Sequence, residues 1–194
     1  MKKIFLSISL FCFSVGVYAD ILVVKVGLPI SSRNNIIEWK MGEEAIYTIQ
    51  AGMFGKGILK KKVISEEKDA VCVDVQIDTD LWKQSLQAWI SKKNGHLLKL
   101  VLDGNETPMA ASDYDISERQ KEIEMGVSAG TFKTTQVTLT DKMDRSVLET
   151  WLDAKNVPLG GMVKHVVQSD FIKVQLELKE FRLILQAEPP SGAF

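Results

Sequence analysis

Alternation of apolar and polar side chains with a period of two dominates the chain beyond residue 20. From Val71 to Ile77 the odd positions are apolar, while Asp74, Gln76 and Asp78 are polar. Because successive side chains of a β-strand point to opposite faces, the pattern predicts strands that bury one face and wet the other. The sequence shows neither a βαβ alternation nor a glycine-rich strand-to-helix turn. We therefore expect an antiparallel sheet with one covered face.

Turn residues predict two hairpins. Residues 45–51 and 58–65 flank three glycines and are expected to pair, because glycine permits a tight reversal. Asn94-Gly95 is a strong hairpin signal, since both central residues of a type I′ turn need positive φ. The pairing predicted across that turn joins Leu86, Ala88 and Ile90 to Leu98, Leu100 and Leu102.

Residues 112–124 interrupt the alternation because they are charged almost throughout. Ser112 or Ser117 can serve as an N-cap, but the apolar content is thin, so the segment is predicted to be a short peripheral helix or a charged loop. The rest of the chain suggests about nine or ten strands, and antiparallel sheets of that size curl or close to protect their edges. The expected fold is mainly β (α+β): a strongly curved antiparallel sheet, either a half-barrel or a barrel.

The first nineteen residues have the three parts of a secretory signal peptide. Lys2 and Lys3 precede an apolar run, and Val17 and Ala19 are small residues before a cut at Asp20. We expect residues 1–19 to be removed, residues 20–186 to form one β-rich domain and residues 187–194 to be a disordered tail. The expected location is the periplasm, with secretion as the second choice, and no transmembrane segment is expected after cleavage.

Composition excludes some partners. Without Lys2 and Lys3, the 24 basic side chains become 22 against 25 acidic ones, a net charge of about −3. This balance gives no broad electrostatic attraction to nucleic acid.

No catalytic or metal signature stands out, so we predict a protein that is not an enzyme and has no cofactor. Cys72 is interpreted as a small packing residue, and His96 and His165 as exposed strand residues outside any metal-ligand spacing. The acidic pairs of residues 112–124, Asp113 with Asp115 and Glu122 with Glu124, are interpreted as hydrated surface carboxylates.

Lys56, Lys60, Lys61 and Lys62 form the densest basic cluster. Such a cluster either meets lipid headgroups or an acidic partner, or keeps an edge strand soluble, and the second interpretation is favoured. The chain also has four tryptophans, which on a curved sheet either fill the core or line a cavity for an apolar ligand. They are Trp39, Trp82, Trp89 and Trp151.

Three stretches carry a family resemblance: Ala129–Val137, Glu149–Leu152 and Val157–Lys164, with Trp39–Glu43 as an opening strand. In them the chain resembles a group of uncharacterised bacterial exported proteins, over residues 37–182. That group is similar in turn to the LolA and LolB superfamily of periplasmic lipoprotein carriers. The resemblance implies a curved antiparallel half-barrel whose concavity holds acyl chains under helical lids.

These observations lead to one functional hypothesis and one alternative. The hypothesis is a non-enzymatic periplasmic protein that binds a lipid or an acylated protein in the concave face of its sheet. The residues predicted to line the ligand are Trp89, Phe132, Trp151 and Met162. The alternative is a cell-envelope interaction module with a solid core and no ligand cavity, which meets a protein partner through an exposed edge or through Lys56 to Lys62.

Overall fold

A computed structural model describes residues 24–28, 37–108, 114–170 and 172–184. Within them eleven strands form one antiparallel sheet, residues 24–27 are helical, and Gly52–Phe54 forms a 3₁₀ turn. The strands are β1 Glu44–Gln50, β2 Lys56–Glu66, β3 Ala70–Thr79, β4 Lys83–Ser91, β5 Leu97–Leu102, β6 Asn105–Glu106, β7 Tyr114–Val127, β8 Gly130–Asp141, β9 Val147–Leu152, β10 Met162–Gln168 and β11 Lys173–Arg182. The predicted signal peptide and tail lie outside the described residues.

The strand order is β6-β5-β4-β3-β2-β1-β11-β10-β9-β8-β7. Two meanders, β1 to β6 and β7 to β11, are joined by the pairing of the first strand with the last. This pairing places β2 in the interior of the sheet, between β1 and β3. The prediction that the lysine-rich strand is an edge strand was therefore wrong.

The sheet is open and strongly curled, which confirms the predicted curved sheet in its half-barrel form. In a flat sheet β2 and β10, three positions apart, would be separated by about 14 Å. Yet Nζ of Lys61 on β2 lies 3.8 Å from Sδ of Met162 on β10. The tip of the β7–β8 hairpin also reaches β11, where the amide of Ala129 donates to the carbonyl of Leu178 at 3.3 Å. The face that carries these contacts is the concave one.

The turn between β4 and β5 is longer than predicted. Gly95 has φ of 70° and its amide donates to the carbonyl of Ser91 at 2.8 Å, whereas Asn94 is not in the positive-φ region. The turn is thus not a two-residue type I′ turn. Leu86 pairs with Leu102 and Ala88 with Leu100 as expected. The register then shifts, so that Ile90 pairs with Leu97 and not with Leu98.

The segment predicted as a helix or charged loop is instead the edge strand β7. Two register irregularities, between Ile116 and Glu118 and between Gln120 and Ile123, break its alternation, and Glu122 has φ of 61°. Such bulges, together with exposed charge, protect a sheet edge from pairing with another chain. The bulges and the charged side chains also explain why the alternation of apolar and polar residues did not predict this strand. No helix among the described residues is long and apolar enough to cross a bilayer.

Candidate functional site

A short stretch of chain, residues 24–28, lies inside the hollow of the curled sheet and is called here the 24–28 segment. Its carbonyl at Lys25 lies 3.1 Å from Nε2 of His165 on β10. Two residues on, a methyl group added at Gly27 would lie 3.2 Å from Cγ1 of Val75 on β3 and 3.3 Å from Cδ2 of Leu86 on β4. The segment therefore contacts both walls of the half-barrel, and Val26 is fully buried between them.

Lys25 fixes one end of the segment to the turn between β8 and β9. Its Nζ lies 2.9 Å from Asp141, 2.7 Å from Asp144 and 2.7 Å from Oγ of Ser146. Burial alone would raise the pKa of Asp144, but hydrogen bonds from Lys25 and Ser146 outweigh it and the pKa is lowered. The side chains of Lys25 and Asp141 are only 4% and 3% exposed, so this ion pair is largely shielded from solvent.

Lys61 is a second buried lysine of the hollow, and its surroundings are different. It lies in phase with Leu59 and Val63 on β2, and all three side chains are fully buried. Its Nζ contacts Sδ of Met162 at 3.8 Å and lies 5.2 Å from the ring centroid of Tyr47. None of the ion pairs among the described residues includes it. Burial lowers the pKa of Lys61 to about 7.

His165 sits beneath the 24–28 segment as a neutral imidazole. A carbonyl oxygen can only accept, so Nε2–H donates to the carbonyl of Lys25, and Nδ1 then accepts from the hydroxyl of Thr150 at 2.8 Å. Burial, followed by the charge of Lys61, lowers the pKa of His165 to about 4. The imidazole is thus a fixed hydrogen-bonding group at neutral pH. The prediction that His165 is an exposed strand residue was wrong, because it lies in phase with Val163 and Val167 on the inner face.

Tyr47 links the centre of the sheet to the start of β10. Its hydroxyl donates to the carbonyl of Met162 at 3.1 Å, and burial raises the pKa of the phenol. Met162 therefore contacts Tyr47 through its backbone and Lys61 through its sulfur. Lys61, Tyr47, Met162 and His165 are called here the polar centre of the hollow, and the sequence predicted a ligand role only for Met162 among them.

The four residues predicted to line a ligand are divided between the two faces. Met162 and Phe132 belong to the buried core, where the Phe132 ring lies 6.2 Å from that of Phe181. Trp89 alternates with the buried Ala88 and Ile90 and therefore lies on the outer face, under Nζ of Lys99 at 5.2 Å.

Trp151 likewise lies on the outer face, next to the inward-facing Thr150, and Nζ of Lys164 is 5.8 Å from its ring. The expected position of both tryptophans near the concavity is corrected. A ligand role for Phe132 and Met162 stays a prediction.

The lysine cluster predicted from the sequence is divided in the same way. Lys61 points into the hollow, whereas Lys60 lies on the outer face in an ion pair with Glu44. Alternation along β2 explains the division, because consecutive side chains of a strand cannot share a face.

The other candidates for chemistry are dispersed. Burial, followed by the charges of Asp74 and Glu67, raises the pKa of Cys72 to about 11. His96 is exposed in the β4–β5 turn. Asp115 pairs with Lys142 at the surface, Glu122 and Glu124 are exposed on β7, and Asp113 lies outside the described residues. In the part of the chain that the structure describes, no three His, Cys, Asp or Glu side chains are grouped to hold a metal ion.

Comparison with known proteins supports the fold. No protein-family model and no curated protein sequence matches this chain. The structure is similar to that of the hypothetical protein CT021 from Chlamydia trachomatis, with a TM-score of 0.51, 10% identity, and coverage of 86% of this chain and 100% of that chain. It is also similar, with a TM-score of 0.44 and 10% identity, to a candidate lipoprotein from Parabacteroides distasonis, over 77% of this chain and 99% of that chain. At such identities the likeness to the first protein is one of fold alone.

Proposed function

We propose that this chain is a non-enzymatic, exported protein of the periplasm that binds a hydrophobic ligand, a lipid or the acyl chain of an acylated protein, against its concave face. The observation that carries the proposal is that the concave face and the 24–28 segment that lies on it are rich in apolar side chains. The inner wall is built largely of Leu, Val and Ile side chains, and the 24–28 segment lies across it. The resemblance to the LolA and LolB carriers points to the same use of a half-barrel.

An acyl chain can replace the 24–28 segment on energetic grounds. Full burial of one Val or Leu side chain contributes about 1.5–3 kcal/mol, and the segment offers Val26 with the partly buried Val24 and Leu28. A long acyl chain contributes about 0.8 kcal/mol per methylene, so a chain of roughly fourteen methylenes contributes about 11 kcal/mol. This contribution exceeds the roughly 4.5–9 kcal/mol that three such side chains lose on leaving the hollow.

The test is to purify the full chain from cell envelopes without detergent and to examine it by native mass spectrometry and lipid extraction. We expect a co-purifying lipid, and uptake of a fluorescent apolar probe by the delipidated protein. Absence of both would refute the proposal.

The alternative function, an interaction module with a solid core, has one observation in its favour. Val26 is fully buried in the hollow, as a residue of a permanent core would be. If the 24–28 segment stays in place when probe is added, as judged by amide hydrogen exchange at these residues, the alternative replaces the ligand-binding proposal.

A further inference from the structure

Lys61 has no anionic partner among the described residues, although it is fully buried. Its ammonium donates to the weakly accepting sulfur of Met162 at 3.8 Å. Lys25 is equally enclosed by the same sheet, but two carboxylates hold it at 2.7 and 2.9 Å. A buried ammonium without an anion is costly, and removal of one partner from a buried ion pair produces the same unfavourable situation. Lys61 is thus a buried cation that lacks, among the described residues, the anion with which it would form an ion pair.

Nearby carboxylates of the hollow are already engaged. Asp141 is bound by Lys25 at the opposite wall. Glu43, which immediately precedes β1, accepts hydrogen bonds from the backbone of Lys40 and Ile184. Among the described residues, neither of these carboxylates is therefore left to pair with the ammonium of Lys61.

The position of Lys61 relative to the 24–28 segment shows how such a group would reach it. Val75, which Gly27 touches, is the cross-strand partner of Lys61 on β3. The carbonyl of Lys25 bonds His165 on the far side. The segment thus crosses the part of the hollow in which Lys61 lies, and its departure would uncover the ammonium together with the apolar side chains around it.

We propose that Lys61 binds the carboxylate of a long-chain fatty acid whose hydrocarbon chain lies along the inner face in place of the 24–28 segment. The inference rests on the proposed function and names its ligand class. One unpaired ammonium balances one negative charge, which suits a carboxylate better than a phosphate monoester with up to two charges. Leu59 and Val63 on either side of Lys61 offer the chain an apolar path.

The experiment compares palmitic acid with methyl palmitate, which has the same chain and no charge. Both are titrated into the delipidated full chain against a fluorescent apolar probe, for the wild type and for Lys61→Met and Lys60→Met. We expect the acid to bind the wild type about tenfold or more tightly than the ester. We expect Lys61→Met to remove this preference and keep ester binding. Lys60→Met, on the outer face, should behave as the wild type.

A second measurement keeps the test independent of any variant. Palmitic acid added to the wild type should shift the nitrogen-15 resonance of the Lys61 side chain, and methyl palmitate should not. If neither compound binds, the proposed function fails and the inference fails with it. If both bind equally to the wild type and to Lys61→Met, the proposed function stands and the role of Lys61 is overturned. If phosphatidylglycerol binds through Lys61 and palmitic acid does not, the assignment to a carboxylate is overturned.

Discussion

Replacement of Lys61 by methionine should stabilise the protein, and by an amount that depends on pH. Methionine is an unbranched, flexible and apolar side chain that suits a position between the buried Leu59 and Val63, and it removes the ammonium from a fully buried position. The pKa of Lys61 falls from 10.5 to about 7 on folding. At 1.36 kcal/mol per pKa unit, this lowering corresponds to about 5 kcal/mol of free energy.

The direction in which stability changes with pH depends on whether the folded or the unfolded state holds the proton of Lys61. Below pH 7 both states are protonated, so the native state bears the whole cost of the buried charge. Between pH 7 and 10.5 the unfolded chain keeps a proton that the native chain has lost, so wild-type stability rises with pH across this window. The advantage of Lys61→Met should therefore be greatest below pH 7 and should shrink by about 5 kcal/mol by pH 10.5.

The assay is urea unfolding of the wild type, Lys61→Met and Lys60→Met at several pH values across this window. Lys60→Met is the matched control, because Lys60 is the adjacent side chain on the outer face in a partly exposed ion pair with Glu44. We expect that change to alter stability by about 0–1 kcal/mol with little dependence on pH. Parallel pH profiles for the wild type and Lys61→Met would show that Lys61 ionises normally, and the reasoning about the polar centre would be refuted.

Three further predictions concern other contacts of the hollow and the sheet. The pKa of His165 is lowered from 6.5 to about 4, so the stability present above pH 6.5 should fall by about 3 kcal/mol as the pH drops to 4. His165→Gln should not show this loss of stability when the urea concentration at the unfolding midpoint is measured at each pH. Lys25→Met leaves the buried Asp141 unpaired, at a cost of about 3–5 kcal/mol, and should release the 24–28 segment and increase probe uptake, whereas the double variant with Asp141→Asn should not. Gly57→Ala would place a methyl group 1.9 Å from a backbone oxygen of β3 and should cost more than about 2 kcal/mol in urea unfolding, unlike Gly126→Ala, which meets open space. Equal losses at the two glycines would contradict the reported geometry.

Much of the fold could be predicted from period two and turn residues alone. The strand of Val71 to Ile77 and the hairpin of β1 and β2 form as expected. Burial of one sheet face requires an apolar side chain at every second residue, and the sequence shows this repeat. The strand β7 could not be recognised, because its bulges shift the phase of the pattern and its edge position fills it with charge. Which strands lie at the edges was also out of reach, since the pairing of β1 with β11 joins residues more than a hundred positions apart.

The polar centre was missed for a different reason. Lys61 follows Leu59 and precedes Val63 in phase, and His165 stands in the same relation to Val163 and Val167. Their phase assigns both side chains to the inner face, whereas the usual exposure of lysine and histidine favours the outer face. A polar residue in phase with the buried side chains of a strand is the signal that would have found the site.

Under the proposed function, the two buried lysines would take opposite parts when the 24–28 segment gives way to a ligand. Release of the 24–28 segment breaks the ion pair of Lys25 with Asp141, at a cost of about 3–5 kcal/mol if the charges stayed buried. Asp141 is the last residue of β8, close to the partly exposed Asp144 in the following turn, so water can reach it once the segment has left. If a fatty acid takes the place of the segment as proposed, Lys61 gains the carboxylate that it lacks in the covered state. Pairing with that carboxylate would offset part of the cost of burying the Lys61 ammonium, since the carboxylate is itself desolvated. An uncharged ester would gain no such pairing, so a preference for acids over esters is the property that tests the proposal.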